Sequence, residues 1–547
     1  MGGLDQKAER AAAPTRAQVD VDALVVGAGF AGLYMLHRLR GLGLSALVLE
    51  RGDGVGGTWY WNRYPGARCD VESLQYSYQF SDALQQEWVW TERYAAQPEL
   101  LRYAEYVAER FDLARDIRFN KTVTAASFDE AGSRWLLETE DGERFRARYC
   151  VMATGCLSMV NRPEVEGLSR FRGELLHTGD WPHHEVSFAG KQVGIIGTGS
   201  SAIQSIPIIA ETATHLTVFQ RTPNYAVPAH NAPLDPAVQA AVKADYPALR
   251  ARARTRRNGI DFPLPSGSAL DLTPEEREAV YEERWALGGL NFTTVFNDIL
   301  LNQDANDTLA DFIRRKIAEI VRDPATAETL SPDSIVGCKR LCVDTGYYQT
   351  FNRSNVTLID LHEKPIDTVV EDGIEVGGAH HPLDMLILAT GFDAMTGALN
   401  RILITGRGGE RLRDKWADGP TTYLGLAIAG FPNLFTITGP GSPSVLTNML
   451  PTIEQHVDWI ADCLAYCEEH DVGSIEASAE AEAAWVEHVG ETVGKTLYRQ
   501  CNSWYLGANI PGKPRVFMPY PGFPPYVETC ARVAARGYEG FVLTPNA

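Results

Sequence analysis

One unit occurs twice in this chain and limits its fold more than any other feature: an apolar strand, a glycine-rich turn, a helix and a second strand. In the first copy the turn is Gly27-Ala-Gly29-Phe-Ala-Gly32, and the second strand ends at Glu50, 23 residues after the first glycine. The first glycine permits a tight turn, the second lets the backbone approach a pyrophosphate, and the third packs the helix onto the strand. Glu50 is placed to accept hydrogen bonds from ribose hydroxyls. This copy is therefore predicted to bind a dinucleotide with free ribose hydroxyls, such as FAD.

The second copy differs at the residue that follows its second strand. Its turn is formed by Gly197, Thr198, Gly199, Ser200, Ser201 and Ala202. The strand HLTVFQ ends at Gln220, and the next residue, 24 positions after Gly197, is Arg221. An acid at this place repels a 2′-phosphate, whereas arginine pairs with it. The matched offset favours this role for Arg221 over that of a solvated charge at a strand end. The second copy is therefore predicted to bind NADP through its turn, Gln220 and Arg221.

Together the two units predict an α/β fold with two Rossmann-like dinucleotide-binding domains, for FAD and NADP, and a helical insertion. Strands that exit at Ala153-Thr-Gly155 and Ala389-Thr-Gly391 indicate where the chain crosses between these domains. The expected ranges are 1–156 and 394–547 for the FAD-binding domain, 157–228 and 337–393 for the NADP-binding domain, and 229–336 for the insertion. In the insertion, Thr273-Pro-Glu-Glu276 is a helix-capping box, and the arginines around Arg250 are interpreted as a solvated helix face.

The charge balance and the cysteines narrow the class of protein. Seventy acidic and 50 basic side chains give a net charge of −20, which disfavours nucleic acid and anionic membrane as partners. The chain has no apolar run long enough to cross a membrane and a polar start without a signal or lipid anchor, so a cytoplasmic protein is expected. Its nine scattered cysteines are interpreted as reduced thiols, and their spacing predicts no metal site. The sequence leaves the oligomeric state open, a monomer included.

A domain for FAD beside a domain for NADP is typical of an enzyme that passes hydride from NADPH to a flavin. Disulfide reductases share this layout but need a redox-active pair of cysteines beside the flavin. The segment after the first unit contains only Cys69. Oxygen is therefore the expected electron acceptor.

Three longer motifs carry a resemblance to a known family. The first is FxGxxxHxxxW(P/D), matched by Phe171, Gly173, His177, Trp181 and Pro182. The others are GGTWYWNRYPGARCD at 56–70 and DMLILATGF at 384–392. With these motifs the chain resembles the type I Baeyer–Villiger monooxygenases, which are class B flavoprotein monooxygenases, and most of all their phenylacetone and steroid branch. The resemblance extends over nearly the whole chain after residue 20.

The resemblance implies a reaction. NADPH reduces FAD, O2 adds to form a C4a-peroxyflavin, and this peroxide attacks a ketone of aryl, cyclic or steroid-like structure to give an ester or lactone. One alternative is an N- or S-hydroxylating flavin monooxygenase, which should lack the Trp181-Pro182 ending and the pair formed by Asp70 and Arg340. Another is an uncoupled NADPH oxidase or a redox-sensing flavoprotein.

The resemblance also assigns roles to single residues. Arg340 matches the catalytic arginine, whose fixed positive charge suits a reaction that builds an oxyanion. Asp70 matches the carboxylate that orients this arginine near the flavin, and Lys339 matches a second contact to the NADP 2′-phosphate. Thr58, Trp59, Tyr76, Val123 and Met449 match flavin-side or pocket positions. Trp504 lies in a loop near 500–515 that is expected to be mobile. Trp504 and Arg340 are both expected to contact NADP. His177 is expected to have a structural role rather than an acid–base role.

Overall fold

The computed structural model describes residues 18–520 and 522–546 of the 547-residue chain. The polar start, for which no signal or anchor is predicted, therefore lies mostly outside the described residues. The strands are β1 Val19–Val26, β2 Ala46–Leu49, β3 Ile117–Arg118, β4 Val123–Asp129, β5 Arg134–Thr139, β6 Arg144–Met152, β7 Glu174–His177, β8 Gln192–Ile196, β9 His215–Gln220, β10 Ala226–Pro228, β11 Cys342–Asp344, β12 Val356–Asp360, β13 Ile366–Val370, β14 Gly373–Val376, β15 Ala379–Pro382, β16 Met385–Leu388, β17 Leu403–Thr405, β18 Leu434–Thr436, β19 Val472–Ala477 and β20 Phe541–Pro545.

The helices complete the α/β pattern and surround the sheets. They are α1 Phe30–Gly41, α2 Thr58–Trp61, α3 Asp82–Glu87, α4 Gln97–Arg110, α5 Ser200–Thr212, α6 Pro236–Ala244, α7 Tyr246–Arg254, α8 Pro274–Leu287, α9 Gln303–Ile320, α10 Pro324–Leu330, α11 Tyr347–Thr350, α12 Gly397–Arg401, α13 Leu412–Lys415, α14 Met449–Glu469, α15 Ala479–Gly494 and α16 Phe523–Ala535. Among the described residues, none of these helices has the length and apolar character that crossing a bilayer requires.

The first sheet places the first glycine turn. Its strand order is β17-β4-β5-β6-β1-β2-β3, with β18 paired to β6. β1 lies parallel between β2 and β6, and Val26 is aligned with Leu49 and with Met152. All three strands therefore end at one edge of the sheet, where Gly27, Glu50 and Ala153 follow them. The turn, the acid and the first Ala-Thr-Gly exit meet there because parallel strands share a carboxyl edge.

The second sheet repeats this construction around the second turn. Its order is β12-β9-β8-β16-β7, and all of its pairs are parallel. Leu388 at the end of β16 is aligned with Ile196 on one side and with His177 on the other. The second turn, the second Ala-Thr-Gly exit and the end of the FxGxxxHxxxW strand therefore share one edge. The predicted fold class, α/β with two Rossmann-like units and a helical insertion, is confirmed.

The region between the second unit and residue 336 is mainly helical, and it contains α6 to α10. Its predicted capping box is present, because the Thr273 side chain accepts from Glu276 N and the Glu276 side chain accepts from Thr273 N. The interpretation of the arginine run as a solvated face is wrong for Arg250. That side chain is buried and donates to the carbonyl of Gln75 and the hydroxyl of Ser77. It joins the insertion to the first domain, a contact that sequence spacing does not reveal.

The cysteines depart from the expectation of reduced thiols in one pair. Cys338 and Cys501 form a disulfide, although 163 residues separate them in sequence. Spacing along the chain could not indicate this bond, because it forms only where the C-terminal part folds back over the segment before β11. The other seven cysteines are buried thiols. Within the described part of the chain, no cluster of His, Cys, Asp and Glu side chains could hold a metal ion.

Candidate functional site

The first glycine turn is closed by contacts that only glycine allows. Gly27 has φ of 105°, and a Cβ added there would lie 2.6 Å from the carbonyl oxygen of Ala153. A Cβ on Gly32 would lie 1.8 Å from the carbonyl oxygen of Gly27. The buried carboxylate of Glu50 accepts from the N–H groups of Ala28 and Gly52, both at 2.7 Å. These bonds hold the acid at the mouth of the turn, where α1 begins.

A cavity of about 590 Å³ opens beside this turn. Twelve of the predicted residues line it: Gly27, Gly29, Glu50, Thr58, Trp59, Asp70, Tyr76, Val123, Ser200, Arg340, Met449 and Trp504. Gly32 lies beneath the turn instead. Arg51, Thr154, Cys156, Thr438, Val445 and Thr447 also line the cavity and were not predicted. Arg51 directly follows the predicted Glu50, and Thr154 directly follows Ala153 at the end of β6. Their position next to these residues was the only sequence signal that could have indicated them.

The second turn is built in the same way but is more open. Gly197 has φ of 108°, and a Cβ there would lie 2.6 Å from the carbonyl oxygen of Ala389. The Thr198 hydroxyl donates to the Thr222 carbonyl at 3.0 Å. Ser200, at the start of α5, is exposed, and the hydroxyl of Ser201 lies 3.0 Å from that of Thr178. Predicted Gly199 lies between these residues, next to the N-terminus of α5.

Two cations lie near this turn without an acidic partner. Neither Arg221 nor Lys339 forms an ion pair with a residue that the structure describes. Burial, and then the charge of Arg221, lowers the pKa of the Lys339 ammonium. Gln220 is buried, and its amide donates to the Thr329 carbonyl at 2.7 Å, while its side-chain oxygen has no partner among the described residues. Arg221 after β9 and Lys339 from the segment before β11 thus form a setting for an anionic ligand, and the Gln220 oxygen can accept from a donor of that ligand.

Arg340 and Asp70 form a two-bond ion pair at the wall of the large cavity. Nε of the arginine donates to Oδ2 at 2.6 Å and Nη2 donates to Oδ1 at 2.8 Å. Nη1 donates to the carbonyl of Val445 at 3.0 Å. Burial opposes the charge of Arg340, but the Asp70 carboxylate outweighs it and raises the pKa of the guanidinium above its usual range. The arginine is therefore a permanent cation of fixed orientation.

Arg340 also borders a second, smaller cavity of about 70 Å³. Arg340 and Thr447 line both cavities, so they stand between them. The apolar residues of the smaller cavity include Ile260, Leu290, Phe292 and Ile299 from the insertion and Leu446 from the loop before α14. Polar residues line it as well, and besides Arg340 and Thr447 they are Arg257, Asn258, Thr293, Lys339, Tyr498, Tyr505 and Tyr520. Arg340 thus borders a cavity of mixed lining on one side and the larger cavity on the other.

The motif at 56–70 connects the first sheet to the helix of the second turn. The Tyr64 hydroxyl donates to Oε1 of Gln204 at 2.8 Å, and the Gln204 amide donates to the Arg68 carbonyl at 3.1 Å. Gly66 has φ of 80°, and a Cβ there would lie 2.2 Å from the carbonyl oxygen of Gln204. Because Gln204 belongs to α5, this motif contacts the helix of the second glycine turn. The same motif also supplies Asp70.

The FxGxxxHxxxW motif lies at the crossings between the sheets. His177 Nδ1 accepts from the Gly179 N–H at 3.0 Å, so Nε2 carries the proton and donates to the Asn161 carbonyl at 3.2 Å. Burial lowers the pKa of this imidazole and keeps it neutral. Phe171 covers Gly173, where a Cβ would lie 2.5 Å from its ring. Among the described residues that line the large cavity, none belongs to this motif, Trp181 and Pro182 included.

Residues 500–515, here called the C-terminal loop, cover both cavities. Trp504 lines the large cavity, and the buried Tyr505 lines the small one. The loop begins beside the disulfide at Cys501. Near its end, the ammonium of Lys513 pairs with Asp393 and donates to the Ala394 carbonyl. The loop is therefore attached at both ends, once covalently and once by an ion pair.

The chain is similar to known proteins over almost its full length. A family model described as pyridine nucleotide-disulphide oxidoreductase matches residues 24–252, a range that includes both glycine turns. A Baeyer–Villiger monooxygenase from Pseudooceanicola batsensis is 43% identical over 529 residues, 96% of each chain. A phenazine N-monooxygenase from Lysobacter antibioticus is 42% identical over 527 residues, 95% of this chain and 97% of that protein. The solved structure of an oxidised steroid monooxygenase bound to NADP is 53% identical, covers 96% of this chain and 100% of its own, and has a TM-score of 0.92.

Proposed function

Because this chain belongs to the Baeyer–Villiger family of flavin-dependent monooxygenases, we propose that it converts ketones to esters or lactones with NADPH, O2 and FAD. The observation that carries the proposal is the position of Arg340. Asp70 orients its guanidinium where the large cavity meets the small one. That position suits a reaction in which an oxidant on one side meets a neutral carbonyl compound on the other.

The residues at the large cavity fit FAD. Gly27 and Gly32 leave no room for a Cβ, so the turn can approach a pyrophosphate, and the N-terminus of α1 carries no acid that would repel it. Glu50 offers carboxylate oxygens at the end of β2 for ribose hydroxyls. When bound, FAD supplies the capacity to take hydride from NADPH and to activate O2. Trp59, Tyr76, Val123 and Met449 line the cavity and would exclude water from the bound FAD.

The second turn fits NADP. Gly197 and the start of α5, also free of acidic residues in its first turn, would hold the pyrophosphate. Arg221 and Lys339 would supply two cations for the single 2′-phosphate. The free amide oxygen of Gln220 could accept from an O–H or N–H group of the nucleotide. Trp504 on the C-terminal loop would contact NADP. A dinucleotide held at this open turn can exchange without displacing FAD.

Arg340 acts through its permanent charge. Attack on a ketone places negative charge on the former carbonyl oxygen, and a preorganised cation in a site shielded from water stabilises that charge. Since a guanidinium does not lose its proton, it gives this stabilisation without donating a proton to the oxidant. Asp70 keeps the planar group oriented, and the apolar residues Ile260, Phe292 and Leu446 of the small cavity would contact the hydrocarbon part of the ketone.

A second candidate is N-oxygenation of a heteroaromatic amine, which is favoured by the similarity to the phenazine N-monooxygenase. Oxygen transfer to nitrogen creates no carbonyl oxyanion, so the charge of Arg340 would have no oxyanion to stabilise. Ketone oxidation therefore explains the position of Arg340 better than N-oxygenation does.

The test is turnover of the purified FAD-loaded protein with NADPH, O2 and a panel of aryl, cyclic and steroid ketones, alongside phenazine as the amine probe. We expect one ester or lactone formed per NADPH consumed with at least one ketone, identified by mass spectrometry. Stoichiometric hydrogen peroxide with every ketone would contradict the proposal. N-oxide as the only oxygenated product would establish the second candidate instead.

A further inference from the structure

The Cys338–Cys501 disulfide joins two segments that the proposed reaction uses. Cys338 directly precedes Lys339 and Arg340, and Cys501 lies at the start of the C-terminal loop, three residues before Trp504. The bond therefore connects the backbone that carries both site cations to the backbone that carries the covering tryptophan. Neither sulfur touches the large cavity, so the bond is placed to hold parts of the site rather than to react with its contents.

We propose that this disulfide is a redox modification site, at which thiol–disulfide exchange releases the start of the C-terminal loop and so changes how firmly the loop covers NADP. The part that concerns NADP rests on the proposed function. The attachment of the loop through the Cys338–Cys501 bond, here called the tether, is argued only from the contacts of the loop.

The loop has two attachments of different kinds. At its start it is bonded to Cys338, and near its end Lys513 pairs with Asp393 and the Asn509 amide donates to the Phe392 carbonyl at 2.8 Å. Reduction removes the first attachment and leaves the second. The segment between them, which includes Trp504 and Tyr505, then loses its only covalent crosslink. Its start is held by the hydrogen bond from Cys501 N to the Tyr498 carbonyl and by the buried Tyr505, which bonds to Arg340. Ser503, at the start of the short 3-10 turn, accepts only within the loop.

Burial makes the exchange depend on loop opening. Cys338 and Cys501 are both 4% exposed and pack with Tyr505, Val516 and Met518. A reductant can reach the sulfurs only when these side chains separate, and this separation would also move Tyr505, which lines the small cavity. A nucleotide that holds the loop closed should therefore protect the bond.

Other cysteines do not compete for this chemistry. Burial raises the pKa of the Cys150, Cys156 and Cys530 thiols, so these groups are poor nucleophiles near neutral pH. Cys467 differs, because its hydrogen bond with Cys463 lowers the pKa of its thiol, but it is buried in α14. The remaining thiols are also buried. Exchange is therefore directed to the one pair that is already oxidised.

The chemistry balances with common reagents. A dithiol cleaves the S–S bond, each sulfur gains one hydrogen as a thiol, and the dithiol becomes a cyclic disulfide. Hydrogen peroxide reverses the change, since two thiols and one peroxide give one disulfide and two waters. Hydrogen peroxide is also what a flavin monooxygenase releases when its turnover is uncoupled, so the proposed reaction can supply the oxidant.

The experiment begins with a thiol count. Denatured, non-reduced protein should titrate seven thiols, and dithiothreitol-treated protein should titrate nine. Nine thiols in protein prepared without reductant would overturn the proposal. Saturating NADP+ should slow reduction of the native disulfide by dithiothreitol at least several-fold, and an equal rate with and without NADP+ would remove the link to loop opening.

The second stage follows the loop itself. Chymotrypsin should cut after Trp504 or Tyr505 at least about tenfold faster in reduced protein and in Cys501→Ser than in oxidised protein, because a crosslink restricts the open chain. Cys467→Ser, which changes a buried cysteine of α14, should behave as wild type does and keep its response to dithiothreitol. Equal cleavage in the oxidised and reduced forms would disprove the tether. If the cleavage changes but no ketone is oxidised, the tether stands and the proposed function fails.

Discussion

The two glycine turns have almost the same backbone, and the difference between them lies in what surrounds them. Gly27 and Gly197 have φ of 105° and 108°, and each faces an alanine carbonyl at the same distance. The first turn ends in Gly32, where the helix is too close for a methyl group, and it adjoins a cavity of about 590 Å³. The second turn has the fully buried Ala202 in that place and an exposed arginine, Arg221, at its strand end.

This comparison separates two properties of a nucleotide site. The turn itself makes room for a pyrophosphate and does not choose the nucleotide. In the proposed function, the choice depends on the residue after the second strand and on Lys339, which comes from a distant segment. Tight enclosure favours a cofactor that stays, and an open edge favours one that exchanges. Arg340 belongs to neither turn and lies where the two sites approach each other.

The largest effect is expected at that meeting point. Arg340→Ala should lower ester formation about 100- to 1,000-fold, because one preorganised stabiliser of the oxyanion is lost. NADPH should still be consumed, with hydrogen peroxide as the product, since hydride transfer needs only the two nucleotides. Arg340→Lys should recover little, because an ammonium lacks the planar fork that Asp70 holds. Product and peroxide assays together check this, and ester formation near the wild-type rate would show that another cation does the work.

A second test addresses nucleotide choice. Arg221→Ala should raise the KM for NADPH about 10- to 100-fold, since a charge-assisted bond contributes about 1.5–3 kcal/mol, and should leave the KM for NADH almost unchanged. The matched control is Lys191→Ala, an exposed cation beside β8 at the opposite edge of the same sheet. Equal effects of Arg221→Ala on the KM for NADPH and the KM for NADH would show that Arg221 does not recognise the 2′-phosphate.

A third test exchanges the residues at the third position of each turn. Gly32→Ala should cost about 1–3 kcal/mol through overpacking and weaken FAD retention, since its Cβ would lie 1.8 Å from the Gly27 carbonyl oxygen. Ala202→Gly should cost about 1 kcal/mol of stability and leave FAD retention unchanged. The flavin-to-protein ratio after gel filtration, with thermal unfolding, measures both. Full flavin content in Gly32→Ala would mean that helix contact and cofactor retention are independent.

The smallest expected effect concerns pH. Burial, and then the charge of Arg221, places the pKa of Lys339 below that of a free lysine. As pH rises through this pKa the ammonium loses its proton, so the KM for NADPH should rise by about tenfold or less while the KM for NADH stays flat. In Arg221→Ala the inflection should move to higher pH, because a repelling cation is gone. The same NADPH profile in Lys339→Ala would exclude this lysine as the titrating group.

Contiguous patterns explain what could be predicted from the sequence. Gly27 and Glu50 belong to one strand–turn–helix–strand unit, so their spacing alone predicted a shared edge. The pairing of Asp70 with Arg340 came only from the resemblance to a family, because nothing local relates positions so far apart. The Cys338–Cys501 bond was missed for the same reason. Such contacts depend on how separate units pack, and no periodicity along the chain records that packing.

The contact between Gly66 and Gln204 joins the motif at 56–70 to α5 of the second nucleotide unit. The Gln204 side chain bonds to Tyr64 and Arg68, and its carbonyl oxygen occupies the space that a Cβ on Gly66 would fill. Sliding α5 along this surface would break these bonds together. Any side chain larger than hydrogen at position 66 would therefore push α5 away from the motif, and with it Ser200 at the wall of the large cavity.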